Sequence, residues 1–126
     1  MALGEDFARA IAAKDADALL ALLEPDLDFR AMTPARFWES QSAVEVVEAF
    51  VFGRWFGPAD RIEALEAVEC DAFANRQRVG YRLRVTRDGM PHIVEQQAYF
   101  STDRDRISWL RIMCAGYCPV AAEPAA

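Results

Sequence analysis

An α+β fold is what the sequence predicts, and three observations point to it. Arg78 to Pro119 holds three apolar-rich runs of strand type separated by two turn signals, the pattern of an antiparallel meander. In the first hairpin, one register puts apolar residues on one face and charged residues on the other. The chain upstream reads as two short helices, a strand and a long apolar helix, material for covering one face of that sheet.

The first helix spans Glu5 to Lys14, with Phe7 and Ile11 on one face. Asp15 or Asp17 is the N-cap of a second, Ala18 to Glu24, which carries Leu19, Leu22 and Leu23 and ends at Pro25. Leu27 to Met32 sets Leu27, Phe29 and Ala31 against Asp28, Arg30 and Met32, a short strand. Thr33 to Ser40 contains Pro34 and reads as a loop. Phe37 and Trp38 are large for a solvated loop, and either form a lid over the interior or cap the core. Ser42 and Glu45 have capping-box spacing. The helix they open carries Val44, Val47, Val51 and Trp55, with Phe50, Phe52 and Phe56 beside them. It is apolar around most of its circumference, which predicts burial on more than one side. Gly57 and Pro58 stop it. Arg61 to Asp71 is ambiguous: its helix propensity is high, and Ile62, Leu65 and Val68 fit a helical face better than strand alternation. Ala72 to Gln77 reads as a loop.

In the meander, Asp88-Gly89 is a hairpin signal, because a tight primed turn wants positive φ at both central positions. A two-residue turn there pairs Val85 with His92, Leu83 with Val94, Tyr81 with Gln96 and Val79 with Ala98. Arg84 then lies opposite Ile93, and Arg82 opposite Glu95 as a cross-strand ion pair. Val79, Tyr81, Leu83, Val85, Val94, Gln96, Ala98 and Phe100 share the apolar face. Arg78, Arg82, Arg84, Glu95, Gln97 and Tyr99 share the other. A slip of one residue would turn Arg82, Glu95 and Arg111 inward, where they would be an active-site candidate. The second turn lies within Ser101 to Arg106, and the third strand runs from Ile107 to about Cys114.

The chain of 126 residues has one-domain size, read as 1–119 with a frayed tail at 120–126. Its net charge of −6 argues against nucleic acid and against an anionic membrane surface. No apolar run approaches a membrane span, and the N-terminus has acids where a signal peptide wants bases, so a cytoplasmic protein is expected. The three cysteines, Cys70, Cys114 and Cys118, read as reduced thiols. The one histidine, His92, reads as a solvated residue beside a turn, and no ligand spacing suggests a metal or other cofactor.

FARAIAAKDADALLALLEPDLDFRAMTP, with RVGYRLRV, IVEQQAYF and ISWLRIMCAGY, resembles the SnoaL-like branch of the nuclear transport factor 2 superfamily, to which ketosteroid isomerase also belongs. The resemblance covers about Asp6 to Pro119. It implies a cone: three N-terminal helices packed on a strongly curved antiparallel sheet around an apolar cavity, often in a homodimer. It also implies a strand at Arg61 to Asp71, against the local propensity.

Ketosteroid isomerase-like enzymes use an Asp base and an oxyanion hole of Tyr and protonated Asp. Those positions fall at about Ala31, Phe7 and Gln96, so only Gln96 keeps a donor. Limonene epoxide hydrolase-like enzymes need two Asp bracketing an Arg inside the cavity, whereas Arg82 and Arg84 lie on the outer face. Asp28, Arg30, Glu39, Glu95, Tyr99, Arg111 and Tyr117 are further polar residues on or beside strands. Arg82, Glu95 and Arg111 read as a polar ladder, with a dimer interface as one possible use. The residues expected to line the pocket are Tyr81, Leu83, Gln96, Phe100, Cys114, Phe29 and Trp38. Tyr81 and Gln96 read either as a donor and acceptor pair for a ligand carbonyl or hydroxyl, or as a satisfied core pair. The expected partner is a small apolar or polycyclic molecule. Isomerase, cyclase or hydratase chemistry by proton transfer is one reading; a non-catalytic binding or dimerisation module is the other.

Overall fold

A computed structural model describes residues 3–120. Helix α1 (Leu3–Ala12) and helix α2 (Ala16–Ala21) lead into strands β1 (Leu23–Thr33) and β2 (Arg36–Ser40). A π-helix (Glu45–Trp55) follows, then β3 (Arg61–Phe73), β4 (Arg76–Arg87), β5 (Met90–Asp103), β6 (Arg106–Cys114) and β7 (Cys118–Pro119). The seven strands form one curved sheet in the order β2-β1-β6-β5-β4-β3, with β7 on β5. The helices pack on its inner face.

The first hairpin has the expected register at every pair from Val79–Ala98 to Val85–His92, and Asp88 and Gly89 both take positive φ. Val79, Tyr81, Leu83, Val85, Val94, Gln96, Ala98 and Phe100 are all buried. Arg82 meets Glu95 at 2.6 Å on the outer face. The second turn tightens to Arg104-Asp105, both at positive φ without a glycine.

Several local expectations are corrected. The sheet is mixed, because β1 runs parallel to β6, pairing Phe29 with Leu110 and Ala31 with Ile112. Thr33 to Ser40 is not a loop. Pro34 and Ala35, with Ala35 at φ 64, make a tight turn, and β2 returns along β1 with Trp38 opposite Ala31. Helix α2 ends at Ala21, capped at its start by Asp15, and Pro25 lies inside β1. Pro25 is tolerated there because β1 is irregular between Leu23 and Asp28. The Ala72–Gln77 loop shrinks to Ala74-Asn75 between β3 and β4. β7 is a strand the sequence did not suggest. His92 is half-buried against Tyr117, at 5.6 Å between ring centroids. The tail expected from 120 starts with Val120, whose N–H reaches Pro91 O at 3.1 Å. Residues 121–126 lie outside the described residues.

The third helix also departs from expectation. Ser42 Oγ accepts from Glu45 N, but Glu45 turns to Ser40 Oγ instead of closing the box. At the far end Phe56 N bonds Val51 O, the i→i−5 bond of a π-helix. The wider turn changes the period, so Val46, Val47, Val51, Trp55 and Phe56 are buried while Val44 is half exposed. One side is covered, not several.

β3 explains its own ambiguity. Its register shifts between Ile62 and Ala64 and again between Leu65 and Ala67. Each bulge inserts one residue, so the alternation of two becomes a spacing of three. Ile62, Leu65 and Val68 therefore face inward opposite Val85, Leu83 and Tyr81.

Candidate functional site

Between the end of the π-helix, β2 and the inner face of β5–β6 lies a cavity of about 160 Å³. Trp38, Trp55, Phe56, Val94, Gln96 and Cys114 line it. Exposed Arg54, half-buried Arg87 and Tyr117, Thr33 and Gly116 complete the lining. β2 brings Trp38, the helix brings Trp55, and the pairing of Gln96 with Cys114 sets these two side by side on β5 and β6.

The hydrogen bonding of the lining is one-sided. Tyr81 OH donates to Gln96 Oε1 at 2.5 Å, deep in the core. Burial holds the Tyr81 phenol well above its ordinary pKa, so it stays neutral and able to donate. Gln96 Nε2 is left buried without a partner, and so is Trp55 Nε1. Trp38 Nε1 is spent on Thr33 Oγ1 at 2.9 Å. The Trp55 carbonyl accepts from Tyr117 OH at 2.6 Å and from Arg87 at 3.3 Å. Most buried polar atoms in proteins are paired, so two orphan N–H donors beside one cavity are informative.

A buried clamp fixes the helix end. Asp60 is almost fully buried, takes both prongs of Arg87 at 2.8 and 2.9 Å, and accepts from Gly57 N at 2.9 Å. The hydrogen bond from Arg87 is the main cause holding the Asp60 carboxyl below its ordinary pKa. Lys14 Nζ donates to Gly57 O and Asp60 O at 2.6 and 2.5 Å. Two cations thus meet the negative end of the helix, where its dipole favours them. Arg87 also stacks on Tyr117 at 3.6 Å. Sequence reasoning missed Trp55 as a donor, Arg54, and this clamp. Asp60 just past the Gly57-Pro58 stop was the available signal, since a helix end needs partners.

Of the residues expected to line a pocket, Trp38, Gln96 and Cys114 border this cavity, and Tyr81 reaches it through Gln96. Leu83, Phe100 and Phe29 sit in the closed core, with Phe29 packed on Phe50 and Trp55 at 6.0 and 6.2 Å. Phe7 packs against Tyr81, and Ala31 is buried. Arg82 and Arg84 are on the outer face with Glu95 and Glu66. Arg30 reaches Glu39 at 3.9 Å and Arg111 reaches Asp28 at 3.1 Å, also outside. These exposed pairs contribute about 0–1 kcal/mol each. Also outside, Met32, Phe37, Tyr99 and Met113, flanked by Arg30 and Arg111, form an apolar groove of about 280 Å³. Cys70, Cys114 and Cys118 are free thiols. Burial raises the Cys70 pKa. Among the described residues no group of His, Cys, Asp and Glu is placed to hold a metal, and no helix is long and apolar enough to cross a membrane.

No protein-family model matches the chain, and no curated protein matches it by sequence. Solved structures do. A protein of Pseudomonas putida KT2440 assigned as a polyketide cyclase superposes with a TM-score of 0.68 at 15% identity, over 87% of this chain and 86% of that one. An LEH-like epoxide hydrolase of M. tuberculosis gives 0.64 at 16%, over 89% and 79%. An NTF2-like protein of unknown function from Cytophaga hutchinsonii gives 0.54 at 12%, over 89% and 86%. At these identities the likeness is one of fold, and the chain has the SnoaL-like, nuclear transport factor 2-like fold.

Proposed function

We propose that the cone binds a small, largely apolar molecule through a carbonyl or similar acceptor oxygen, held by the free N–H groups of Gln96 and Trp55. The observation that carries this reading is that pair of unpartnered donors at one aromatic-walled cavity. The size fits a small ligand: typical ligand sites run to about 300–1,000 Å³, so a cavity of about 160 Å³ favours a single ring or short chain over a polycyclic molecule. We also propose a cytoplasmic location and a homodimer in which a second copy covers the outer groove.

Binding without turnover is the reading favoured by the lining, which carries no carboxylate, imidazole or amine free to act as a base. Turnover is the second reading, supported by the cyclase and hydrolase names among the fold relatives. Two donors in an apolar site polarise a carbonyl toward its enolate, the step shared by isomerases and cyclases working by proton transfer.

The test is native mass spectrometry of freshly purified protein, repeated after denaturation, on wild type, Tyr81→Phe and Gln96→Leu. A stoichiometric small adduct that Gln96→Leu loses supports the reading. An adduct held equally by all three proteins sinks it.

A further inference from the structure

We infer that the ligand is a short keto acid, its ketone oxygen inside the cavity and its carboxylate at the rim on Arg54 and Arg36. This rests on the carbonyl reading above and adds a second anchor to it.

The first argument is the inventory of free polar atoms. Gln96 Oε1 is taken by Tyr81, Thr33 Oγ1 by Trp38, and the Trp55 carbonyl by Tyr117 and Arg87. What remains free is donors: Gln96 Nε2, Trp55 Nε1 and the Arg54 guanidinium. The unpaired nitrogens of the lining are all donors and favour a ligand that presents acceptors to them, because a ligand donor placed there would be buried without a partner.

The second argument is charge. Acids outnumber bases 20 to 14, and Arg9, Arg30, Arg61, Arg78, Arg82, Arg84, Arg87 and Arg111 each meet a carboxylate. Of the five arginines that form no ion pair among the described residues (Arg36, Arg54, Arg76, Arg104 and Arg106), Arg36 and Arg54 converge on one indole. Arg36 lies 3.7 Å and Arg54 5.9 Å from the centre of the Trp38 ring. Arg54 at the edge of the cavity, with Arg36 on the same indole, leaves positive potential where an anion would sit in an otherwise acidic protein. Trp38 is itself buried and pinned by Thr33, so the cavity wall and the rim charges share one fixed ring.

The third argument is shape. A guanidinium is a planar fork matched to a carboxylate. About 160 Å³ holds a ketone and a short chain, with the charged end left at the exposed Arg54.

The experiment uses the full chain and the keto acids from 4-oxopentanoate to 7-oxooctanoate, each beside its primary amide and the alkanoate that lacks the ketone. Binding is read from the indole N–H resonance of Trp55, with the indole of Trp109, which lies outside the cavity lining, as internal reference. At the best length the keto acid binds about tenfold tighter than its amide, a difference that shrinks with salt and is lost in Arg54→Met and reduced in Arg36→Met. Both arginines are exposed, so these variants keep the fold, checked by unchanged unfolding midpoints. Amides that bind as well as acids overturn the rim anchor and leave the carbonyl reading standing. Alkanoates that bind as well as keto acids overturn the carbonyl reading and with it the keto acid. An unmoved Trp55 signal at every length overturns both.

Discussion

Gln96 and Tyr81 satisfy each other only in part, because the amide has two ends and the phenol occupies one. Removing either partner strands the other in the core, at about 1–3 kcal/mol. Tyr81→Phe and Gln96→Met should therefore each destabilise by that order, and the double variant by clearly less than their sum. A double-mutant cycle in urea checks it, and strict additivity would deny the coupling. Asp60 makes a second residue-scale prediction. Its folded-state pKa is depressed, so its contribution is complete above the unfolded carboxyl pKa of about 3.9 and fades as the pH falls through the lower folded value. Asp60→Asn should cost about 2–3 kcal/mol at neutral pH, less than a fully buried pair because Arg87 keeps 35% of its side chain exposed. The gap between variant and wild type should narrow below pH 4 when stability is followed against pH. The inward-facing alternation of β4 and β5 made Gln96 and Tyr81 legible from the sequence. The clamp was not, since Lys14, Asp60 and Arg87 meet only after the helix end docks on the hairpin.

At the scale of elements, period is the signal, and it misleads where the backbone is irregular. Ile62, Leu65 and Val68 repeat every three residues because two bulges interrupt β3. The same pattern on a regular backbone is a helix. The π-helix is the converse case, since its residues have a helical look but its wider turn picks a different buried side. Gly53 marks it: a Cβ there would lie 2.7 Å from the Glu48 carbonyl oxygen, one turn back. In an ordinary exposed helix Gly→Ala stabilises by about 1 kcal/mol. Gly53→Ala should instead destabilise by about that much, read as a lower urea midpoint; a higher one would mean the turn relaxes to α.

For the whole molecule, the parallel pairing of β1 with β6 extends the meander and carries β2, with Trp38, over the helix. The same arrangement leaves Met32, Phe37 and Met113 each about half exposed on the outer face. If a second copy covers that groove, Phe37→Glu should halve the mass seen by sedimentation and leave the monomer folded. A dimer that survives the charge would place the interface elsewhere.

Alternation, turn residues and caps act between neighbours in the chain. The sequence by itself therefore determined the α+β class, the first hairpin to the residue with its buried face, and a helix cap at Asp15 or Asp17, of which the structure uses Asp15. Tertiary structure alone decided the parallel β1–β6 pair, the strand at β2, the bulges that hide β3, the π-turn and the two donors left without partners. Each of these depends on residues far apart in the chain competing for the same space and the same hydrogen bonds, and no local pattern records which of them wins.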